Sequence, residues 1–221
     1  MTDFSFGVLF DMDGVIVDSN PAHKIAINLF CKNHNKVVDD VFMQSKIYGR
    51  TNQEWIPELF ELALSELQLL EYANEKEQLF RDIFKSDLLP VAGVIEFIDH
   101  LNSNQIKIAV ATSAPGENAE FILTGLKIKN RFDAVLDASH VKKGKPNPDV
   151  YIKAAAAIGL APKQCIVLED SLAGVQAGKS AGCKVIGITT THSREELDAC
   201  DLVVDDFVGL GMKELRDIFR F

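Results

Sequence analysis

Residues 9–19 read LFDMDGVIVDS. An apolar run ends on Asp11 and Asp13, breaks at Gly14, and turns apolar again. Carboxylates at that spacing repel each other, and burying either one is costly unless it is paired or bound to a cation. If FGVLF (6–10) is a strand, both acids lie just past its carboxyl end, and positive charge has to reach them from elsewhere in the chain.

Outward from this stretch, short apolar runs alternate with helical patterns. Strands are expected at 6–10, 106–112, 133–137, 165–169, 184–188 and 202–204. Their near-continuous hydrophobicity fits parallel strands covered on both faces. Helices are expected between them, at 93–103, 117–126, 148–159 and 171–182. Asn147 is placed to cap the third of these and Gly159 to end it. The alternation predicts an α/β fold with a doubly wound, Rossmann-like parallel sheet. From 18 to 85 no strand is evident, and stretches such as TNQEWIPELFELALSELQLL are helical in pattern. We therefore expect a core of residues 1–17 and 86–221 with an inserted α-helical cap subdomain over 18–85. Ligands of open α/β sheets bind outside the carboxyl ends of the strands, so the insert is expected to act as a lid.

A chain of 221 residues, 47% hydrophobic and 25% charged, is long enough to bury a core without disulfides. Its formal charge of −9 argues against nucleic acid or anionic lipid as partner. A metal or a few local cations still allow an anionic substrate. Cys31, Cys165, Cys183 and Cys200 form no C-x-x-C pair and read as reduced structural thiols. The opening residues carry no basic leader pattern, and no apolar run approaches the ~20 residues needed to cross a bilayer. The expectation is a cytoplasmic, monomeric protein acting on a small molecule.

The other strand ends supply what the first lacks. IAVATSA ends in Thr112 and Ser113, CIVLEDS ends in Glu169, Asp170 and Ser171, and VKKGKPNPD carries Lys145 before Pro146. A parallel sheet gathers these ends on one edge. Clustered carboxylates with room for water favour Mg²⁺, and a lysine with a threonine beside the ion makes a phosphate pocket. Of the two aspartates, one can attack phosphorus while the other protonates the leaving oxygen and later activates water. Gly14 permits the turn between them.

FDMDGVIVDS, ATSA, KKGKPNPDVY and VLEDSLAG, in that order, resemble the four motifs of the haloacid dehalogenase-like hydrolase superfamily. The helical insert is similar to the cap of its subfamily I, and the likeness spans nearly the whole chain. The resemblance implies that Asp11 is nucleophile and metal ligand. It implies that Asp13 is the general acid/base, with its carbonyl also on Mg²⁺. Thr112 and Lys145 then hold the transferring phosphoryl group, Ser113 shares it, and Asp170 ligates the metal with Glu169 beside it, direct or through water. Dehalogenases of this superfamily lack an acid at the Asp13 position, which favours phosphate chemistry.

Two activities remain: a phosphatase of small phosphorylated metabolites, sugar phosphates among them, and a β-phosphoglucomutase-like phosphohexomutase. A third reading is a non-catalytic binding module, against which the intact Asp11 and Asp13 argue. The mutases carry a histidine five residues past the hinge acid, as His23 follows Asp18. Their cap-loop lysine and arginine positions fall here on Tyr48 and Asn52, with Arg50 displaced, and Gly49–Arg50 fits a phosphatase cap. His23, Arg50 and Asn52 are the cap candidates for substrate, each with an ordinary surface role as its alternative. Trp55 and Tyr48 read as half-buried packing or as lining the cap face, and Lys76 as a helix-surface ion pair or a cap ligand. His34, His100, His140 and His192 read as surface residues.

Overall fold

The computed structural model describes residues 5–47, 50–61 and 63–219. Tyr48 and Gly49 of the cap loop lie outside them. The chain divides into two compact units, Met1–Asp18 with Leu89–Phe221, and Ser19–Leu88.

The first unit carries six strands: β1 (Gly7–Phe10), β2 (Lys107–Ala111), β3 (Ala134–Leu136), β4 (Cys165–Glu169), β5 (Lys184–Ile188) and β6 (Leu202–Val204). They form one sheet in the order β3-β2-β1-β4-β5-β6, every pair parallel. The expected doubly wound α/β fold is therefore what the chain adopts. The four central strands are buried along almost their whole length, which is why they read as unbroken apolar runs. Among the helices of this unit, α5 (Val94–Ser103), α6 (Gly116–Gly125), α7 (Asp149–Ala157) and α8 (Leu172–Ala181) link consecutive strands. α9 (Met212–Asp217) follows β6. Residues from β1, β2, β4 and β5 share one core cluster with Val150, Tyr151 and Ala154 of α7 and Val175 and Ala177 of α8.

Asn147 caps as expected, although α7 begins at Asp149, one residue later than the sequence suggests. Its Oδ1 accepts from the Asp149 N–H at 3.1 Å, at the start of α7. Gly159, with φ +75°, follows the end of that helix.

Winding reverses at β1. The chain runs outward through β2 and β3 on one side and through β4, β5 and β6 on the other. The crevice at the carboxyl ends of β1 and β4 is thus a topological switch point, where ligands bind in such sheets. Register fixes what meets there: Phe10 lies opposite Leu168, and the Asp11 N–H donates to the Leu168 carbonyl at 3.0 Å.

The second unit is helical: α1 (Asn20–Asn33), a short α2 (Asp40–Phe42) running into a π turn (Met43–Ile47), α3 (Asn52–Phe60) and α4 (Glu66–Phe84). Thr51 and Ser65 open α3 and α4, each reciprocated by Glu54 and Gln68 three residues on. Ile27, Phe30, Met43, Trp55 and Ile56 form the core of this unit. His34, expected at the surface, is half-buried. Its ring lies among Phe30, Phe60 and Tyr72, and its Nε2 meets Glu75 Oε2 at 2.8 Å. The reason is position: His34 follows the buried Phe30 by four residues, so it stands above it on the same helix face.

Among the described residues, no helix is long and apolar enough to cross a membrane.

Candidate active site

Within the first unit, the residues following β1 and β4 converge with one lysine. Lys145 Nζ lies 2.8 Å from Asp11 Oδ1 and 2.6 Å from Glu169 Oε1, and its side chain is 7% exposed. Asp11 and Asp170 are nearly buried and Glu169 is fully so. One carboxylate oxygen each of Asp11, Glu169 and Asp170 lies within 4.8 Å of the others.

Glu169 is the most heavily bonded member. Its Oε1 accepts from Lys145 Nζ and from the Tyr151 hydroxyl, both at 2.6 Å. Its Oε2 accepts from the Asp170 N–H at 3.1 Å and from the Ser171 N–H and Oγ, each at 3.0 Å. Burial opposes its charge, but attraction to Lys145 and these donors outweigh burial and hold the carboxyl below its usual range. Five donors on two oxygens leave little capacity for an ion, so Glu169 anchors Lys145. Burial also opposes the charge of Lys145; Asp11 and Glu169 overcome it and keep the ammonium above the ordinary lysine range.

Asp11 and Asp170 are different. Burial, countered by Lys145 and reinforced by Glu169, pushes Asp11 up to about 7. Burial, followed by repulsion from Glu169 and Asp11, raises Asp170 well above the usual carboxylate range. One ammonium does not balance three acids, and the donor set is all oxygen. These residues fit a divalent cation of the Mg²⁺ type.

Two glycines make room for this packing. Gly14 has φ +77°, and a Cβ there would fall 1.9 Å from Asp170 Oδ2. A Cβ on Gly174 would fall 1.6 Å from Glu169 Oε1. Gly14 thus serves the turn anticipated from the sequence and also clears space for the acid of another strand.

Thr112 is buried beyond β2. Its N–H donates to the Leu136 carbonyl at 3.0 Å, and its Oγ1 accepts from the Ala114 N–H at 3.0 Å, which directs its own O–H elsewhere. Ser113 is exposed. Asp13 is half-buried, in the turn whose backbone bridges to Val17.

The cap candidates belong to the second unit, and there the structure brings His23 and Asn52 together while Arg50 bonds elsewhere. Lys76 Nζ lies 3.0 Å from His23 Nδ1 and donates to Glu77 Oε1 at 2.8 Å. Asn52 Nδ2 donates to the same Glu77 oxygen at 2.7 Å, and its Oδ1 accepts from Trp55 Nε1 at 3.1 Å. Arg50 donates to the Lys46 and Glu54 carbonyls at 3.0 and 3.2 Å and to Glu58 Oε1 at 2.7 Å.

Sequence reasoning missed Tyr151 and Thr191. Tyr151 is fully buried with its ring 5.0 Å from Lys145 Nζ. Thr191 donates its hydroxyl to Asp170 Oδ2. For Thr191 the signal was available, since GITTTHS (187–193) ends β5 on a run of hydroxyls. Tyr151 closes the KKGKPNPDVY stretch, but nothing in the sequence gave its hydroxyl a partner.

A doubly wound parallel sheet with a lysine-bridged acid pocket at its switch point defines an α/β enzyme of the aspartate-centred kind. The chain belongs to the haloacid dehalogenase-like hydrolase family, whose model matches residues 8–188. It is 32% identical to hexitol phosphatase A of Escherichia coli over 203 residues, 90% of this chain and 89% of that protein. It is also 32% identical to β-phosphoglucomutase of Bacillus subtilis, covering 95% of this chain and 93% of that protein. A crystal structure of a HAD hydrolase of family IA, variant 3, from Entamoeba histolytica superposes with a TM-score of 0.89 at 27% identity, covering 96% of this chain and 98% of that one.

Proposed function

We propose that this chain is a Mg²⁺-dependent phosphatase of small phosphorylated sugars or polyols, acting in the cytoplasm through an aspartyl-phosphate on Asp11. The carrying observation is the buried Lys145 ammonium held between Asp11 and Glu169 beside a third acid, Asp170. In this reading residues 18–85 act as the cap and supply substrate discrimination. Hexitol phosphatase A supports the substrate class.

An Asp11 oxygen attacks phosphorus, and the ester oxygen leaves with a proton from Asp13. Asp13 then takes a proton from water as that water attacks the acyl phosphate, which returns Asp11 and releases inorganic phosphate. Lys145 steadies phosphoryl charge throughout, and the Thr112 O–H donates to one oxygen. Asp11 and Asp170, with the Asp13 carbonyl, would hold Mg²⁺, which when bound supplies positive charge against the phosphate oxygens.

The test is phosphate release from a panel of sugar and polyol monophosphates with and without Mg²⁺. Asp11→Asn should lower kcat by at least about a thousandfold, as loss of a covalent nucleophile does, while circular dichroism stays unchanged. Retained turnover in that variant removes Asp11 as the nucleophile. The phosphohexomutase reading is favoured by the likeness to the Bacillus subtilis mutase. Given β-glucose 1-phosphate with a trace of the 1,6-bisphosphate, a mutase forms glucose 6-phosphate, whereas a phosphatase forms inorganic phosphate alone.

A further inference from the structure

β5 ends at Ile188, and the turn that follows opens on Thr189, Thr190 and Thr191. Register sets Gly187 opposite Glu169, so this turn stands beside Asp170 at the carboxyl end of β4. A turn abandons the strict alternation of a strand, and the three hydroxyls go three ways. Thr189 Oγ1 donates to Asp205 Oδ1 at 3.0 Å, beyond β6. Thr190 Oγ1 donates to the Gly14 carbonyl, and Thr191 Oγ1 donates to Asp170 Oδ2. All of these residues belong to the first unit.

The last two bonds converge on one carboxylate. Asp170 Oδ2 is the oxygen packed against Gly14, where a Cβ would meet it. Glycine leaves the backbone of that turn permissive, and the Thr190 bond ties the Gly14 carbonyl to the end of β5. Oδ2 therefore lies between a fixed wall and a hydroxyl donor, which leaves Oδ1 for a cation. Lys145 makes its short contacts to Asp11 and Glu169, so the group that orients Asp170 is a neutral hydroxyl. That is the chemistry a metal site needs at this point. An ammonium would cancel the acid and compete with the ion, whereas a hydroxyl turns the carboxylate and leaves its charge in place. Thr191 is itself exposed. Water would satisfy its hydroxyl there, so the pairing adds little to folding.

We propose that Thr191 is a positioning residue for the divalent cation: it holds the Asp170 carboxylate in the orientation that binds the ion, and touches neither the ion nor the reacting atoms. This inference rests on the reading of Asp11 and Asp170 as ligands of Mg²⁺.

The experiment titrates EDTA-treated protein with Mg²⁺ at constant ionic strength and reads two midpoints. One is that of the rise in melting temperature, which needs no turnover; the other is that of phosphate release from a responsive sugar monophosphate. Thr191→Val, which keeps the shape and removes the hydroxyl, should move both to at least about tenfold higher Mg²⁺, the scale on which metal sites lose affinity when the outer partner of a ligand is removed. At saturating Mg²⁺ its kcat should hardly change. Thr191→Ser should bring both midpoints back toward wild type. Thr189→Val, which takes the neighbouring hydroxyl from Asp205, should leave them in place. Thr191→Ala gives the same readout should the valine variant misfold. A merely structural Thr191 would lower the melting temperature in EDTA and leave the midpoints unmoved, and that result overturns the inference. So does a fall in kcat at saturating Mg²⁺ with unmoved midpoints. A wild-type melting temperature that does not respond to Mg²⁺ overturns the metal reading and this inference with it. A Mg²⁺ response without phosphate release from any monophosphate overturns the phosphatase reading alone.

Discussion

Tyr151 shows how much of the pocket depends on one atom. Its hydroxyl is the only donor to Glu169 from α7 among the described residues, and its ring underlies the Lys145 ammonium. Tyr151→Phe keeps shape and apolar contacts and removes that donor, so Glu169 loses one of five hydrogen bonds. A hydrogen bond to a charged group contributes about 1.5–3 kcal/mol. If part of that loss falls on the placement of Lys145, kcat should drop by about tenfold with little change in KM. Steady-state kinetics on a responsive monophosphate check this, with thermal melting as the control. An equal fall in kcat/KM carried entirely by KM would show that the hydroxyl serves ground-state binding instead. Asp11, Asp170 and Lys145 were legible because acids and a lysine at strand ends have no apolar explanation. Tyr151 was not legible, because aromatic residues on a buried helix face are the rule and only coordinates reveal where the hydroxyl goes.

At the level of the element, the two edge strands share a device. β3 and β6 are only three residues long, and each is preceded by an aspartate. The Asp133 N–H donates to the Ile108 carbonyl at 2.9 Å, while its Oδ2 accepts from the Ile108 N–H at 2.9 Å. Asp201 repeats the pattern on Val185, at 2.8 and 2.7 Å. Each acid thus extends the ladder by one rung where a strand has barely begun, and Lys107 or Lys179 neutralises it. Burial opposes both charges; the lysine and the backbone N–H outweigh it and hold each carboxyl below its ordinary 3.8. A depressed folded value means stability that is fully present above pH 3.8 and lost as pH falls through the folded value. Asp133→Ala or Asp201→Ala should therefore cost about 1–3 kcal/mol near neutrality, and the cost should shrink below pH 4. Urea melts at two pH values measure this; a cost unchanged at low pH would refute it. The strands themselves were readable within a residue or so, because burial on both faces forces apolar runs. Asp133 fell inside the strand expected at 133–137 and Asp201 just before the one at 202–204, but their rung-forming role was not readable, since only the neighbouring strand explains it.

Across the whole chain, β1 lies in the middle of the sheet, between strands that follow only after the chain has passed through Ser19–Leu88. Alternating strand and helix patterns made the winding legible, but strand order depends on which edges pair, and no local pattern encodes that. The order matters because it sets Asp11 beside Glu169 and Asp170 at the switch point, in a chain of net charge −9. Three acids around one ammonium make the apo pocket a source of repulsion, so an ion bound there should stabilise the native state of the strand-bearing unit. Near a hundred times its dissociation constant, Mg²⁺ should add about 2.7 kcal/mol. That corresponds to about 5–11 °C in melting temperature for a chain of this size. Calorimetry of EDTA-treated protein, titrated with Mg²⁺ at constant ionic strength, reads the shift directly. Asp170→Asn should abolish most of it, whereas Glu169→Gln should retain it and lower kcat instead, because Glu169 acts on Lys145. A full Mg²⁺ shift in Asp170→Asn would place the ion elsewhere, and loss of the shift in a folded Glu169→Gln would make that carboxylate a ligand after all.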